Sequence, residues 1–255
     1  NYLYSQEENP QEIEEFSDFD NFWNQEGVFE KMTDLAEDNS YIANSYRNFL
    51  EEPKNNYPNI NASNESQALI KLEEEALVFF KEGEYEKSIK HFEKILEINK
   101  NNLSSYHYKG VSYFRLQKYS NAITDFNKVI EIDPNYSPAY GFRGDCKYFL
   151  NKFESAIFDF SKAIEINPDD SYNFNMRGCA KQQLGQLEES IKDYTKAYSL
   201  DNKNSFAIKN SGMAKLLLDD HQGAIDDLTK AIEINPKDAG SFLNRGSSKY
   251  NLNDF

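Results

Sequence analysis

Three histidines, two cysteines and several pairs of adjacent acids are the side chains here whose chemistry depends on spacing. His91, His107 and His221 lie far apart, and no His-x-x-x-His or Cys-x-x-Cys spacing exists to hold zinc. The acid pairs Asp169-Asp170, Asp219-Asp220 and Asp226-Asp227 fall on expected turns and helix faces, where solvation accounts for them without a general acid or base. A calcium-loop start at Asp18 and Asp20 fails at Trp23, where glycine is needed, and at Phe29, where the last ligand should be glutamate. There is no Gly-rich phosphate loop and no strand pattern to carry one. Cys146 and Cys179 are too few for a disulfide scaffold and read as reduced thiols, buried more readily than reactive. No catalytic set, metal site or cofactor is expected.

The residues that do recur at a fixed spacing are small ones. Ala76, Gly110, Gly144, Gly178, Gly212 and Gly246 stand 34 residues apart without a gap. A constant period of this size marks a stacked array of helical hairpins, which presents a surface rather than enclosing a reaction. The repeats are set at 69–102, 103–136, 137–170, 171–204 and 205–238, with a partial sixth at 239–255. Position 4 then reads Leu72, Tyr106, Tyr140, Phe174, Ile208 and Phe242. Position 20 reads Ser88, Ala122, Ala156, Ser190 and Ala224, and position 24 reads Phe92, Phe126, Phe160, Tyr194 and Leu228. Small residues at 8 and 20 let two helices approach, and the large ones at 4 and 24 are expected to fill the space between neighbouring hairpins. Position 32 is Pro134, Pro168 and Pro236 in three repeats, where proline ends a helix. First helices are expected near 103–116, 137–150, 171–184 and 205–218, and second helices near 120–133, 154–167, 188–201 and 222–235.

These columns resemble the tetratricopeptide repeat (TPR) family over residues 69–255. The departures are Glu75 and Ala76 in repeat one, where leucine and glycine are usual, and Asn202 in place of the repeat-four proline. The resemblance implies an all-α fold: an α-solenoid superhelix of antiparallel helix pairs, with an extra helical segment at the N-terminus. It also implies that extended or helical peptides bind in the concave groove, on positions 2, 5, 9, 12 and 13 of the first helices. Those positions offer His107, Val111, Phe114 and Arg115 in repeat two, and Asp145 and Tyr148 in repeat three. They offer Tyr172, Asn175, Cys179 and Gln182 in repeat four, and Lys209 and Met213 in repeat five. The family's clamp for a C-terminal carboxylate is not complete. Lys209 and Asn244 fit it, but Met213, Pro138 and Phe142 do not.

The chain carries a net charge of −15, unevenly placed. Residues 1–66 hold 15 acids and 3 bases, against 28 and 25 in residues 67–255. An acidic chain without a basic stripe repels phosphate backbones, so nucleic acid is discounted as a partner. No apolar run is long enough to span a membrane, and a cytoplasmic location is expected. Residues 1–66 form a separate unit, with short helices expected near 11–17, 27–37 and 40–52 and a linker at 53–66. The stretch 12–30 interleaves Phe16, Phe19, Phe22, Trp23 and Phe29 with acids. It reads either as a cap on repeat one or as a ligand for the groove in cis. The sixth repeat reaches its turn at Phe255, and a further helix is expected beyond it to cover Phe242, Tyr250 and Leu252. The function expected is a non-catalytic scaffold or adaptor that binds a protein or peptide segment. The alternative is the regulatory or substrate-recruiting arm of a larger enzyme.

Overall fold

The computed structural model describes residues 64–253, which lie in the second of two units, Asn1–Pro58 and Asn59–Phe255. The expected N-terminal helices and the stretch 12–30 fall outside the described residues.

Eleven helices and no strand make up the described residues. They are α1 (Asn64–Lys81), α2 (Tyr85–Ile98), α3 (Leu103–Arg115), α4 (Tyr119–Ile132), α5 (Ser137–Phe149), α6 (Phe153–Ile166), α7 (Ser171–Gln183), α8 (Leu187–Leu200), α9 (Ser205–Leu217), α10 (His221–Ile234) and α11 (Ala239–Asn251). Every boundary inside the array lies within two residues of the expected one. The first helix is longer than expected and begins three residues inside the assumed linker.

Each helix stops for a local reason that repeats. At position 15 the backbone turns left-handed in every repeat, at Gly83, Gln117, Asn151, Gly185, Asp219 and Asn253. The next amide then reaches back to close the helix, as Lys118 N does to Tyr113 O at 2.8 Å and Lys152 N to Lys147 O at 2.8 Å. Second helices end on a side chain as well as on proline. Position 31 is Asn99, Asp133, Asn167, Asp201 and Asn235. Its oxygen accepts the amide two residues on at Asn99, Asp133, Asp201 and Asn235. Repeats one and four therefore turn like the rest although Lys100 and Asn202 replace proline. Several first helices open on a capping oxygen: Asn102 accepts from Ser105 N at 2.8 Å, and Asp170 from Asn173 N at 3.1 Å.

In repeats two to four the position-24 ring lies on the position-8 glycine, and in repeat five Leu228 takes the ring's place on Gly212. A Cβ placed on Gly144 would sit 2.7 Å from the Phe160 ring, and one on Gly178 would sit 2.7 Å from Tyr194. The large residues thus fill the space inside their own hairpin as well as between hairpins; Phe126 also stacks on Phe142 of the next repeat, with centroids 5.5 Å apart. Phe92, Phe126, Phe160, Tyr194 and Leu228 are all buried. On α11, Phe242, Leu243, Tyr250 and Leu252 are exposed. Across repeats, each second helix packs on the following first helix, and first helices from α3 onward also touch the next first helix. No second helices meet to that extent among the described residues. First helices therefore form the inner side of the array.

Candidate partner-binding face

Beneath the inner side runs a set of ion pairs with the same period as the fold. Position 23 is Asp125, Asp159, Asp193 and Asp227, all buried. Helix periodicity brings positions 7 and 11 of the first helix onto it. Arg143 donates to Asp159 through Nε at 2.9 Å and Nη2 at 2.6 Å, and Lys147 Nζ stands 2.6 Å from the same carboxylate. Arg177 and Lys181 repeat this on Asp193 at 2.6 and 2.7 Å. Lys215 at 2.6 Å and the Ser211 hydroxyl at 2.7 Å hold Asp227. In repeat two, Lys109 alone pairs with Asp125, at 3.1 Å, because Tyr113 replaces the second lysine. Asp125 Oδ2 accepts no hydrogen bond, and burial pushes this carboxyl up to about 6 against the pull of Lys109. Repeat one reverses the polarity, with His91 at position 23 and Glu75 at position 7, 3.7 Å apart.

The arginines do a second thing. Arg143 Nη1 donates to Asn127 of the preceding repeat at 2.6 Å, Arg177 to Ser161 at 3.1 Å and Arg245 to Thr229 at 3.3 Å. Each partner lies sixteen residues back, so one side chain joins its own hairpin to the one before. Each guanidinium also lies over the position-4 ring of its own helix, Tyr140, Phe174 or Phe242, 5.4 Å from the centroid. Sequence reading missed this column. Aspartate at position 23 of repeats two to five, with a basic residue sixteen before it in three of the four, was the signal available.

On the inner side, the expected groove residues separate by depth. Val111 is fully buried and supports the face from below. His107 is buried among Tyr108, Phe126, Tyr136 and Phe142, and loss of solvent lowers it to about 4, so it is a neutral packing group at pH 7. Tyr148 is buried with its ring edge-on to Phe149 and Phe153. Phe114 and Arg115 are half-buried, and Phe114 joins Tyr119, Phe142 and Phe149 at 5.8–5.9 Å. Met213 and Asn244 are half-buried too.

The remaining residues are engaged in polar pairs, some across neighbouring first helices and one with a second helix. Tyr172 donates its hydroxyl to Asp145 Oδ2 at 3.0 Å. Asn210 donates to Asn175 Oδ1 at 3.2 Å and to Cys179 Sγ at 3.6 Å. Tyr194 donates to Gln182 Oε1 at 2.8 Å. Lys209 is already paired with Asp238 at 3.0 Å, so it does not stand ready for an incoming acid. Burial pushes the Cys179 thiol up to about 11 and Cys146 higher still, so both are protonated and poor nucleophiles at pH 7. Among the described residues no group of three or more His, Cys, Asp or Glu could hold a metal. None of their helices is long and apolar enough to cross a membrane.

The array is an α-solenoid of helical hairpins held by stacking and by a repeating buried ion pair. Tetratricopeptide repeat models match five stretches, 74–102, 104–136, 137–170, 160–192 and 210–238. The chain belongs to the tetratricopeptide repeat family. Several solved structures share its fold. MamA 41-end from Desulfovibrio magneticus RS-1 is 22% identical with a TM-score of 0.63, over 67% of this chain and 97% of that one. YrrB, described as a TPR protein with an unusual peptide-binding site, is 20% identical with a TM-score of 0.61, over 69% and 90%. PilF of Pseudomonas aeruginosa is 15% identical with a TM-score of 0.65, over 75% and 87%. No curated protein sequence matches the chain.

Proposed function

We propose that this chain is a non-catalytic scaffold or adaptor that holds a segment of another protein against the inner side of its first helices. One observation carries the reading. The stacking positions repeat from hairpin to hairpin, whereas inner positions 5 and 9 change each time. They read His107 and Val111, Gly141 and Asp145, Asn175 and Cys179, then Lys209 and Met213. Stacking alone would favour one solution repeated. An inner side that differs at each step, with Asn175, Lys209 and Met213 part-exposed on it, distinguishes one linear partner from another. The peptide-binding site printed for YrrB supports this as a use of the fold. The family's usual role as an interaction module, and buried protonated thiols in place of a reactive one, support a non-catalytic protein in the cytoplasm.

Short random peptides displayed against the full chain test the reading. Binders should lose about tenfold or more in affinity on Met213→Glu with Arg115→Glu, and nothing on Phe158→Glu, which lies exposed on a second helix. Equal loss on both would show that the inner side is not the binding face. The same titration with residues 1–52 removed tests self-occupation by the stretch 12–30: tighter binding supports it, and unchanged affinity counts against it.

A further inference from the structure

Asp145 is a buried carboxyl in a different position from the four that anchor the hairpins. Each of those faces a lysine or arginine within 3.1 Å. Asp145, at inner position 9 of α5, has no such partner among the described residues. Its Oδ2 accepts from the Tyr172 hydroxyl, and its Oδ1 accepts nothing. The side chain is 2% exposed, so water solvates it poorly. Close by on α7 lies a second unmet acceptor: Asn173 Oδ1 packs 3.0 Å from where a Cβ of Gly141 would be, one turn before Asp145 on α5. Asn173 spends its amide on Asp170 Oδ2 at 2.7 Å. The seam between α5 and α7 therefore collects unmet acceptors where the array needs none for stacking. An unpaired buried acceptor destabilises the fold, and an incoming donor removes that penalty.

We propose that the seam between α5 and α7 receives a cationic side chain, arginine or lysine, of the segment bound on the inner side, with Asp145 Oδ1 as its acceptor. This rests on the inner-side reading above and adds the chemistry of the ligand. Three further observations agree with it. Lys209 is neutralised by Asp238, so the inner side does not offer its lysine to acids. Residues 67–255 hold 28 acids and 25 bases, so the array's own balance, like the chain's, favours approach of basic segments over acidic ones. Phe149 and Phe114, further along the same inner side, provide aromatic surface for the stem of a long cation.

Protons enter the binding step. Loss of solvent, with the charge of Asp170 beside it, pushes the Asp145 carboxyl up to about 8 against the Tyr172 hydrogen bond. The other titratable groups around it are Tyr172, Cys146, Cys179 and Tyr119, all pushed upward by burial and neutral at pH 7. A cation at Oδ1 stabilises the ionised carboxylate, so its arrival expels the proton. Affinity should rise from about pH 6 toward 8, with a proton released on binding.

The test uses the peptides selected on the full chain. Each arginine or lysine is replaced by glutamine in turn, and binding is measured calorimetrically in buffers of different ionisation enthalpy. One cationic position should cost about tenfold or more on the native chain and less than about twofold on Asp145→Asn. Its binding should release a proton below pH 8. Equal costs on both chains, binders that need no cation, or binding without proton release would overturn the proposal. The inner-side reading would survive that outcome if Met213→Glu with Arg115→Glu still abolished binding. If that pair had no effect, both would fall. Should Asp145→Asn not fold, Tyr172→Phe keeps the carboxyl and removes its remaining donor. The cation requirement must then persist and the pH profile must shift upward; an unshifted profile sinks the idea.

Discussion

On the side of each first helix that faces its own hairpin, positions 7 and 11 read Lys109 and Tyr113, Arg143 and Lys147, Arg177 and Lys181, Ser211 and Lys215. Every one of these residues but Tyr113 bonds to an aspartate sixteen or twelve residues on. On the other side, positions 5 and 9 share no such pattern. The first side solves one problem four times, how to hold a hairpin shut, and Arg143 and Arg177 also tie theirs to the hairpin before. Constancy there makes variation on the inner side affordable, because stability of an array depends on each repeat and its neighbouring joints. A substitution on the constant side should therefore be felt through the fold, and one on the varied side through binding.

The largest effect should come from Asp159→Ala. Arg143 and Lys147 would be left largely buried without their carboxylate, and removing one partner of a buried pair costs about 3–5 kcal/mol. Urea unfolding should show the drop, with hydrogen exchange loosening α5 and α6 first. Asp125→Ala should cost clearly less, since only Lys109 depends on it and its Oδ2 is already unmet. Equal losses at the two positions would break the comparison between well-paired and poorly paired hairpins. Gly144→Leu comes next. Its side chain would enter the space of the Phe160 ring, an overpacking of about 1–3 kcal/mol or somewhat more, read as a lowered and less cooperative melt.

On the varied side, Asn175→Ala removes one acceptor of Asn210 and should cost about 1 kcal/mol in the same unfolding experiment. A loss as large as that of Asp159→Ala would mean that the inner side is part of the scaffold after all. The smallest effect is a titration. Asp125 should titrate near 6 by carboxyl NMR, since its raised value is set by burial. A carboxyl raised in the folded state favours the fold at low pH. Its contribution is present below the ordinary carboxylate range and is lost as pH rises through about 6. Tyr113→Lys supplies the second cation that Asp159 and Asp193 have, so it should lower the titration midpoint and remove that dependence.

The period, the hairpins and nearly every helix end could be read from sequence, because the signals were local or repeated. Glycine at position 8 and proline at position 32 announce themselves by residue type alone. The ion pairs were harder to see. Asp159 and Arg143 are ordinary surface types, and only superposing repeats shows that both point into the hairpin. The asparagine or aspartate at position 31 explains why repeats lacking proline still turn, and proline had drawn attention away from it. The inner face was legible as a set of positions but not as a set of exposures. Helix angles place Val111 and Met213 on the same side, yet Val111 is buried and Met213 half-buried, since depth depends on the neighbouring hairpin. Lys209 likewise looked available until the position of Asp238, at the far end of the same repeat, was known.

The sixteen-residue reach of the arginines bears on how such a chain changes length over generations. Arg143 meets Asn127 and Arg177 meets Ser161, each partner at the same place in its repeat. Excising 137–170 in frame would bring Arg177 to Asn127 by the same reach, and the joint would close as before. Duplication inserts a unit as easily as excision removes one. The number of repeats is thus a heritable variable that leaves the joint intact where an arginine and its partner recur, and what each event alters is the order in which differing inner surfaces follow one another. Loss of that particular unit would delete Asp145 while leaving the hairpins on either side fastened.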